Sequence, residues 1–141
     1  MADAVTIKYI YPPNHDGGAN PVPTRKVTVN MSGLSDGTGE TDVVKVRLTD
    51  LMKHGGDTPT RTAIEAIQGN IQGMTVLLEW DRAANAQIKM LTPGQYDLDY
   101  RPEGGIVDPG EEDDRTGNII LTSLYSDSGD SYDITLTVRL K

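Results

Sequence analysis

The stretch Asn118–Lys141, NIILTSLYSDSGDSYDITLTVRLK, decides the fold. In its second half Tyr132, Ile134, Leu136, Val138 and Leu140 alternate with Asp133, Thr135, Thr137, Arg139 and Lys141. Successive strand residues point to opposite faces, so this period of two writes one apolar row and one wet row. The first half, Ile119 to Tyr125, is a mostly apolar run with β-branched and aromatic members. Between the halves lies Ser126-Asp127-Ser128-Gly129-Asp130-Ser131, rich in residues that bond their own backbone or accept positive φ. The pattern predicts a β-hairpin with a loop of about six residues. A one-residue slip would turn the apolar row into water, so the register should be firmly set.

The same period recurs upstream. Val5, Ile7, Tyr9 and Tyr11 alternate with Thr6, Lys8 and Ile10 until Pro12-Pro13 removes two ladder donors. Val27, Val29 and Met31 form a second row, and Gly33 to Gly39 is a turn cluster. Val44, Val46 and Leu48 form a third row, followed by a short turn, helical or not, over 49–54. Met74, Val76, Leu78 and Trp80 share one side of the most apolar strand; Leu77 on the other side makes it a central one. Shorter strands are expected over 87–91, 95–100 and 105–107. Over 60–71 two readings stay open. Thr62-x-x-Glu65 resembles a capping box and Ile64, Ile67 and Ile71 recur at helical spacing, whereas Gly69 and Gly73 lie close by and the run is short for a helix. About eight short strands with turns between them predict one all-β domain over residues 1–141, a β-sandwich or jelly roll with at most one or two short helices. Residues 12–24 form a Pro/Gly-rich loop, or an extended arm that crosses onto a neighbouring subunit.

The core rests on Val, Ile, Leu and Met, because the chain holds no Phe and a single Trp. A net charge of −8 argues against nonspecific binding to nucleic acid or to anionic membrane, both of which need clustered cations. With no cysteine there is neither a disulfide framework nor a thiolate zinc site. The start of the chain shows no secretion-signal pattern and no apolar run approaches a membrane span, so the expectation is a protein made and kept inside a cell or in a particle assembled there.

Candidate chemistry is thin. His15 and His54 both fall in Gly-rich loops without an evident orienting partner. Asp127-Ser128-Gly129 resembles the aspartic-protease triplet, but Ser126 before it and Asp130 after it read as a plain loop. Asp36, Glu40 and Asp42, or the acids of 111–114, offer oxygens for Ca²⁺ without EF-hand spacing. Gly104-Gly105 lacks the lysine and the helix of a phosphate loop. Tyr96, Leu98 and Tyr100 share a face that a sugar-binding module would use for stacking; alternatively they rim the core with Trp80 inside it. No catalytic, cofactor-binding or metal-ligating residues are assigned, no cofactor is expected, and the chain is read as a non-enzyme.

Four stretches carry a resemblance: Leu78-Glu79-Trp80-Asp81, Gly104-Gly105-Ile106-Val107-Asp108-Pro109, Thr116-Gly117-Asn118-Ile119-Ile120-Leu121-Thr122 and Gly129-Asp130-Ser131-Tyr132-Asp133-Ile134-Thr135-Leu136. Together they resemble small virion structural proteins of tailed bacteriophages, of the head-decoration or cement type, over roughly the C-terminal half. The resemblance implies a β-sandwich or jelly-roll subunit that stabilises the capsid by bridging neighbouring major capsid subunits as a small homo-oligomer, a dimer or trimer. It places the protein on the virion head surface, assembled in the bacterial host cytoplasm, with the major capsid protein and itself as partners and no nucleic acid or membrane. Tyr11, Pro12, Pro13, His15, Pro21, Pro23 and Arg25, in and beside the arm, are then the candidate partner contacts. The alternative from another class is a non-enzymatic binding module for glycan or protein, for example on a phage tail or fibre.

Overall fold

The computed structural model describes residues 4–11, 15–16, 23–82, 85–108 and 116–141. Its strands are β1 (Ala4–Tyr11), β2 (His15–Asp16), β3 (Pro23–Thr24), β4 (Lys26–Leu34), β5 (Val43–Val46), β6 (Met52–Lys53), β7 (Thr62–Gln72), β8 (Thr75–Trp80), β9 (Ala86–Leu91), β10 (Gly94–Asp99), β11 (Ile106–Val107), β12 (Ile119–Leu124) and β13 (Ser131–Leu140). Four of them are two residues long, so the strands outnumber the eight expected. Helix is confined to two 3₁₀ turns, Leu48–Asp50 and Arg101–Glu103. The fold is all-β, in two antiparallel sheets packed as a sandwich.

The larger sheet runs β10-β7-β13-β4-β1-β2, with β11 also on β7; the smaller runs β5-β12-β8-β9. β3 pairs in parallel with β6. β13 is central, bonded to β4 on one side and to β7 on the other along nearly its whole length. Its predicted row faces inward: Tyr132, Ile134, Leu136, Val138 and Leu140 are buried, beside Val27, Val29 and Met31 of β4 and Ile64, Ile67 and Ile71 of β7. The opposing sheet contributes Val46, Val76, Leu78, Trp80, Leu91, Ile119 and Leu121 to the same cluster. β8 lies between β12 and β9, the interior place its two-sided apolarity predicts.

The expected hairpin over 118–141 does not form. β12 pairs with β5 and β8 in the small sheet, whereas β13 belongs to the large one. The 125–130 loop is an arch between layers about 10 Å apart, and both strands aim apolar residues at the same core from opposite sides. Tyr125 at φ 59 and Gly129 at φ 95 turn the chain out of one sheet and into the other. The connections β4–β5, β7–β8 and β9–β10 also change sheet, and all four lie at one end of the sandwich.

Residues 62–72 are a strand, and the helical spacing within them has a physical cause. The β7–β13 register skips Glu65, pairing Thr137 with Ala66 and Val138 with Ile64. A bulge inserts one extra residue, so inward side chains separated by it are three apart instead of two. Ile64 and Ile67 therefore both face the core, and Ile71 follows on the ordinary period past Gly69. Thr62 is no helix cap; it is a fully buried strand residue opposite Leu140. A second departure concerns Gly33, which continues β4 instead of opening a turn.

Gly69 sits at φ 156, and a Cβ there would fall 2.2 Å from the Asp133 carbonyl oxygen on the central strand. That atom is backbone and cannot swing away. Gly69→Ala is expected to lower stability by about 1–3 kcal/mol, read as a fall in the urea midpoint at unchanged slope; an unchanged midpoint would refute the close approach.

Candidate functional site

The polar groups buried at the seam between the sheets are ties. A bulge in β5 skips Lys45, since Ile119 pairs with Val46 and Ile120 with Val44. Lys45 is thereby turned inward with Val46, while Val44 stays half-buried on the other face. The expected row Val44–Val46–Leu48 is corrected accordingly. The Lys45 ammonium donates to Glu40 Oε1 at 2.5 Å, and the Tyr132 hydroxyl donates to Glu40 Oε2 at 2.5 Å. All three side chains are buried, with the ammonium 5.8 Å from the Tyr132 ring centre. Tyr132 lies across Gly33, where a Cβ would come within 2.5 Å of the ring. The Glu40 backbone is held by Ser123, whose hydroxyl accepts its N–H at 2.8 Å. Two charges in so dry a place cost several kcal/mol each to desolvate, which only a short, fully bonded geometry offsets.

The opposite end carries a second set. Arg82 Nη2 donates to Asp108 Oδ1 at 2.6 Å, both side chains buried. Thr116 donates its hydroxyl to Asp81 Oδ2 at 2.9 Å, and the Asp81 N–H donates to the Asn118 carbonyl at 3.0 Å. Asn118 Oδ1 accepts the Leu48 N–H at 2.9 Å. Residues 78–81, 104–108 and 116–122 meet here, and residues 129–136 include the start of β13. On the outer face of the large sheet, buried Glu65 sits 2.7 Å from Lys26 Nζ and 3.7 Å from Arg139 Nη1. Asp99 is gripped by Arg101 through two side-chain bonds of 2.9 Å, and the guanidinium holds its carboxyl down to about 2.

The sequence-predicted candidates scatter. Tyr11 ends β1, and His15 folds back beside it, pairing Tyr11 with His15 and Ile10 with Asp16. Pro23 pairs with Met52, and the Arg25 carbonyl accepts the Leu140 N–H. Pro12, Pro13 and Pro21 lie outside the described residues, as do the acids of 111–114. His54 is exposed in the loop after β6. Asp36, Glu40 and Asp42 do not converge: Asp36 accepts the Thr38 N–H, Glu40 turns inward, and Asp42 bonds Thr122 and Asn85. Asp127 is the loop residue expected, its N–H donating to Asp130 Oδ2. Trp80 fills the core, and Tyr96, Leu98 and Tyr100 pack half-buried at its rim, with the Tyr96 hydroxyl donating to the Thr92 carbonyl at 2.7 Å. Among the described residues no three His, Cys, Asp or Glu side chains are grouped to hold a metal ion, and no helix is long and apolar enough to cross a membrane.

The large apolar side chains exposed among the described residues are Met90 on β9, Val107 on β11, Tyr125 in the arch, and Val5, Ile7 and Leu34 on or beside the first strand. Val5 and Ile7 are each 37% exposed although they point to the core side of the large sheet. The reason is a mismatch of widths. The small sheet ends on this side at the four-residue β5, which reaches Tyr9: the Tyr9 hydroxyl accepts the Arg47 N–H at 3.2 Å and donates to the Lys45 carbonyl at 3.5 Å. Beyond Tyr9, among the described residues, no strand of the small sheet continues over β1. Leu34, 54% exposed and paired with Ala4, lies on the outer face instead, beside a hollow of about 300 Å³ lined also by Ser32, Asn70 and Asp133. At the same end Tyr125 is 87% exposed in a left-handed conformation that costs a non-glycine residue of order 1 kcal/mol. The alternating sequence hid this strip, since period two gives a strand's faces but not whether a second layer extends over them.

The chain matches no protein-family model, and neither a curated protein nor a solved structure is detectably similar to it.

Lys45→Ala is expected to lower stability by about 3–5 kcal/mol, because it strands the Glu40 carboxylate in the interior, whereas Lys45→Met with Glu40→Leu together should cost much less; equal losses by denaturant titration would refute a dry seam. Burial, and then the negative charge of Asp42, raise the Glu79 carboxyl above its usual value. A raised folded-state value means the native chain binds more protons than the unfolded one, so this group favours folding below the ordinary glutamate range and opposes it as pH rises above that range. Glu79→Gln should therefore raise the unfolding free energy slightly at pH 7, by no more than about 1 kcal/mol for a half-exposed group, and flatten its dependence between mildly acidic and neutral pH.

Proposed function

We propose that this chain is an assembled structural part: a capsid-stabilising decoration protein of a tailed bacteriophage, which bridges neighbouring major capsid subunits as a small homo-oligomer on the virion head. The observation that carries the reading is the exposed apolar pair Val5 and Ile7 on the core-side face of β1, with Leu34 exposed on the outer face and Tyr125 in the arch, on a sandwich whose buried charges are spent on internal ties. Neighbouring apolar side chains left exposed on one strand face mark a surface that is covered in use. The resemblance of residues 78–136 to head-decoration proteins supports the reading through the fold, because those stretches are the paired strands and loop ties of the sandwich. Of the arm over 12–24, His15 and Asp16 pair with β1 and Pro23 and Thr24 pair with β6.

Mechanically, each copy would clamp two shell subunits through modest contacts that sum over many copies against internal pressure. The strongly negative charge limits association of free subunits and favours an oppositely charged or neutral docking surface. The glycan-binding alternative is less supported, because Tyr96 and Tyr100 are engaged at the core rim instead of forming an open stacking platform.

Purified protein added to expanded, undecorated capsids should bind at fixed stoichiometry and raise their rupture temperature, with Tyr125→Ala or Ile7→Ser weakening binding about tenfold or more. Absence of binding to such capsids, or binding with no change in rupture temperature, would overturn the proposal.

A further inference from the structure

Among the described residues, β1 is a long strand edge that carries little protection against pairing. The opposite edge of the large sheet, β10, carries Asp97 and Asp99 on its outer face. In the small sheet β9 is bulged where Leu78 and Glu79 pair with it and bears Lys89, and β5 is short and bulged. Charge, bulges and shortness are the devices by which sheet edges are kept from pairing with another chain. β1 is eight residues long, pairs with β4 without a bulge over Ala4 to Ile10, and is covered by β2 only at Ile10 and Tyr11. Among the described residues, Ala4 to Lys8 therefore present a row of main-chain groups with no strand paired to it on that side, flanked by exposed Val5 and Ile7.

We infer that this edge is the self-association surface of the protein, and that two copies join antiparallel through β1 about a twofold axis centred on Thr6. The inference rests on the reading that the chain acts as a homo-oligomer, and it names the surface and the register. A second copy supplies what the edge lacks: main-chain partners together with apolar side chains at alternate positions. Charge selects the register. Lys8 is the only charged residue of β1, so in a chain of net charge −8 this edge can meet its own copy without acid facing acid.

Side-chain parity allows the twofold to centre on Val5, Thr6 or Ile7, or on Lys8 itself. Centring on Lys8 sets the two ammonium groups directly opposite, and centring on Ile7 leaves them as diagonal neighbours about 7–8 Å apart; like charges so placed are destabilising. Centring on Thr6 places Lys8 opposite Ala4, about 14 Å from the other Lys8 at four residues' rise. It also sets Val5 against Ile7 twice over, which closes the exposed strip, and stacks Thr6 on Thr6 on the wet face. Centring on Val5 shortens the overlap among the described residues. The axis is perpendicular to the sheet, so the two large sheets become one and the two small sheets lie on the same side.

The absence of native cysteine makes the register directly testable. Thr6→Cys puts the thiols at the axis, and mild oxidation should convert the protein to a disulfide dimer; Lys8→Cys, whose thiols lie four residues apart, should crosslink at least tenfold more slowly. Unmodified protein should show twice the chain mass by sedimentation equilibrium at high concentration, and Ile7→Lys should weaken the dimer about tenfold or more while leaving the circular dichroism spectrum and melting intact. Monomeric mass at the highest soluble concentration, equal crosslinking of the two cysteine variants, or an undiminished dimer in Ile7→Lys would each overturn the pairing. These measurements use the protein alone, so a Thr6-centred dimer that ignores capsids would leave the pairing standing and reject the capsid reading; capsid binding by a protein that stays monomeric would do the reverse.

Discussion

The double pairing of β13 is the constraint on which the rest of the sandwich depends. A ten-residue strand bonded to β4 on one side and β7 on the other has no freedom of register, because a slip against either neighbour would expose Tyr132, Ile134, Leu136 and Val138 together. Both neighbours give way to it. β7 offers Gly69 opposite Ile134, where a side chain would strike the β13 backbone, and β4 offers Gly33 opposite Tyr132, where a side chain would displace the ring. Once Tyr132 lies over Gly33, its hydroxyl reaches Glu40 across the seam, so the central strand of one sheet positions the entry to the other.

That reach explains why charge is tolerated in the interior. A buried ion pair adds little net stability compared with apolar packing, but it strongly penalises any arrangement that separates its members. Glu40 stands just before β5 and Lys45 within it, and both meet a residue of the opposite layer. Sliding the small sheet over the large one would break the contact of Glu40 with Tyr132 and leave both groups buried without each other. Arg82 and Asp108 apply the same logic at the other end, between the loop after β8 and the segment after β11. Hydrophobic packing alone is non-directional; these ties give the two layers a fixed offset.

The all-β class, most strand positions and the inward rows could be read from the period of two, because a half-buried strand must alternate wherever one face is wet. Three features could not, and each has its own cause. Pairing partners are nonlocal, so two strands joined by a six-residue turn-rich loop look alike as a hairpin and as an arch; β12 and β13 are the arch. A bulge changes the period locally, which is why Ile64, Ile67 and Ile71 imitate a helix and why Lys45 reads as a surface residue while lying in the core. Buried ties between distant residues leave no local mark at all: Glu40 to Tyr132 and Arg82 to Asp108 join positions far apart in the sequence. Of the partner-contact candidates only the strand termini are described, and the apolar strip on β1 was legible as a strand face but not as an uncovered one.

Unequal layers force a choice on any sandwich. A large sheet facing one of four strands must leave part of its core-side face uncovered, and the fold decides which strand carries that exposure. On the β10 side the rim is filled by aromatic residues, with Tyr96 and Tyr100 bending their apolar bodies inward and the Tyr96 hydroxyl satisfied at Thr92. On the β1 side only Tyr9 does the same, and Val5 and Ile7 have neither the length to reach the small sheet nor a polar tip to wet. Short β-branched side chains are poor rim fillers and good cross-strand partners, since on a pleated surface they pack best against a residue directly opposite. Their placement on the single unbulged, nearly uncharged edge sets surface chemistry and hydrogen-bonding capacity side by side, and a strand of another chain is the kind of partner that answers both at once.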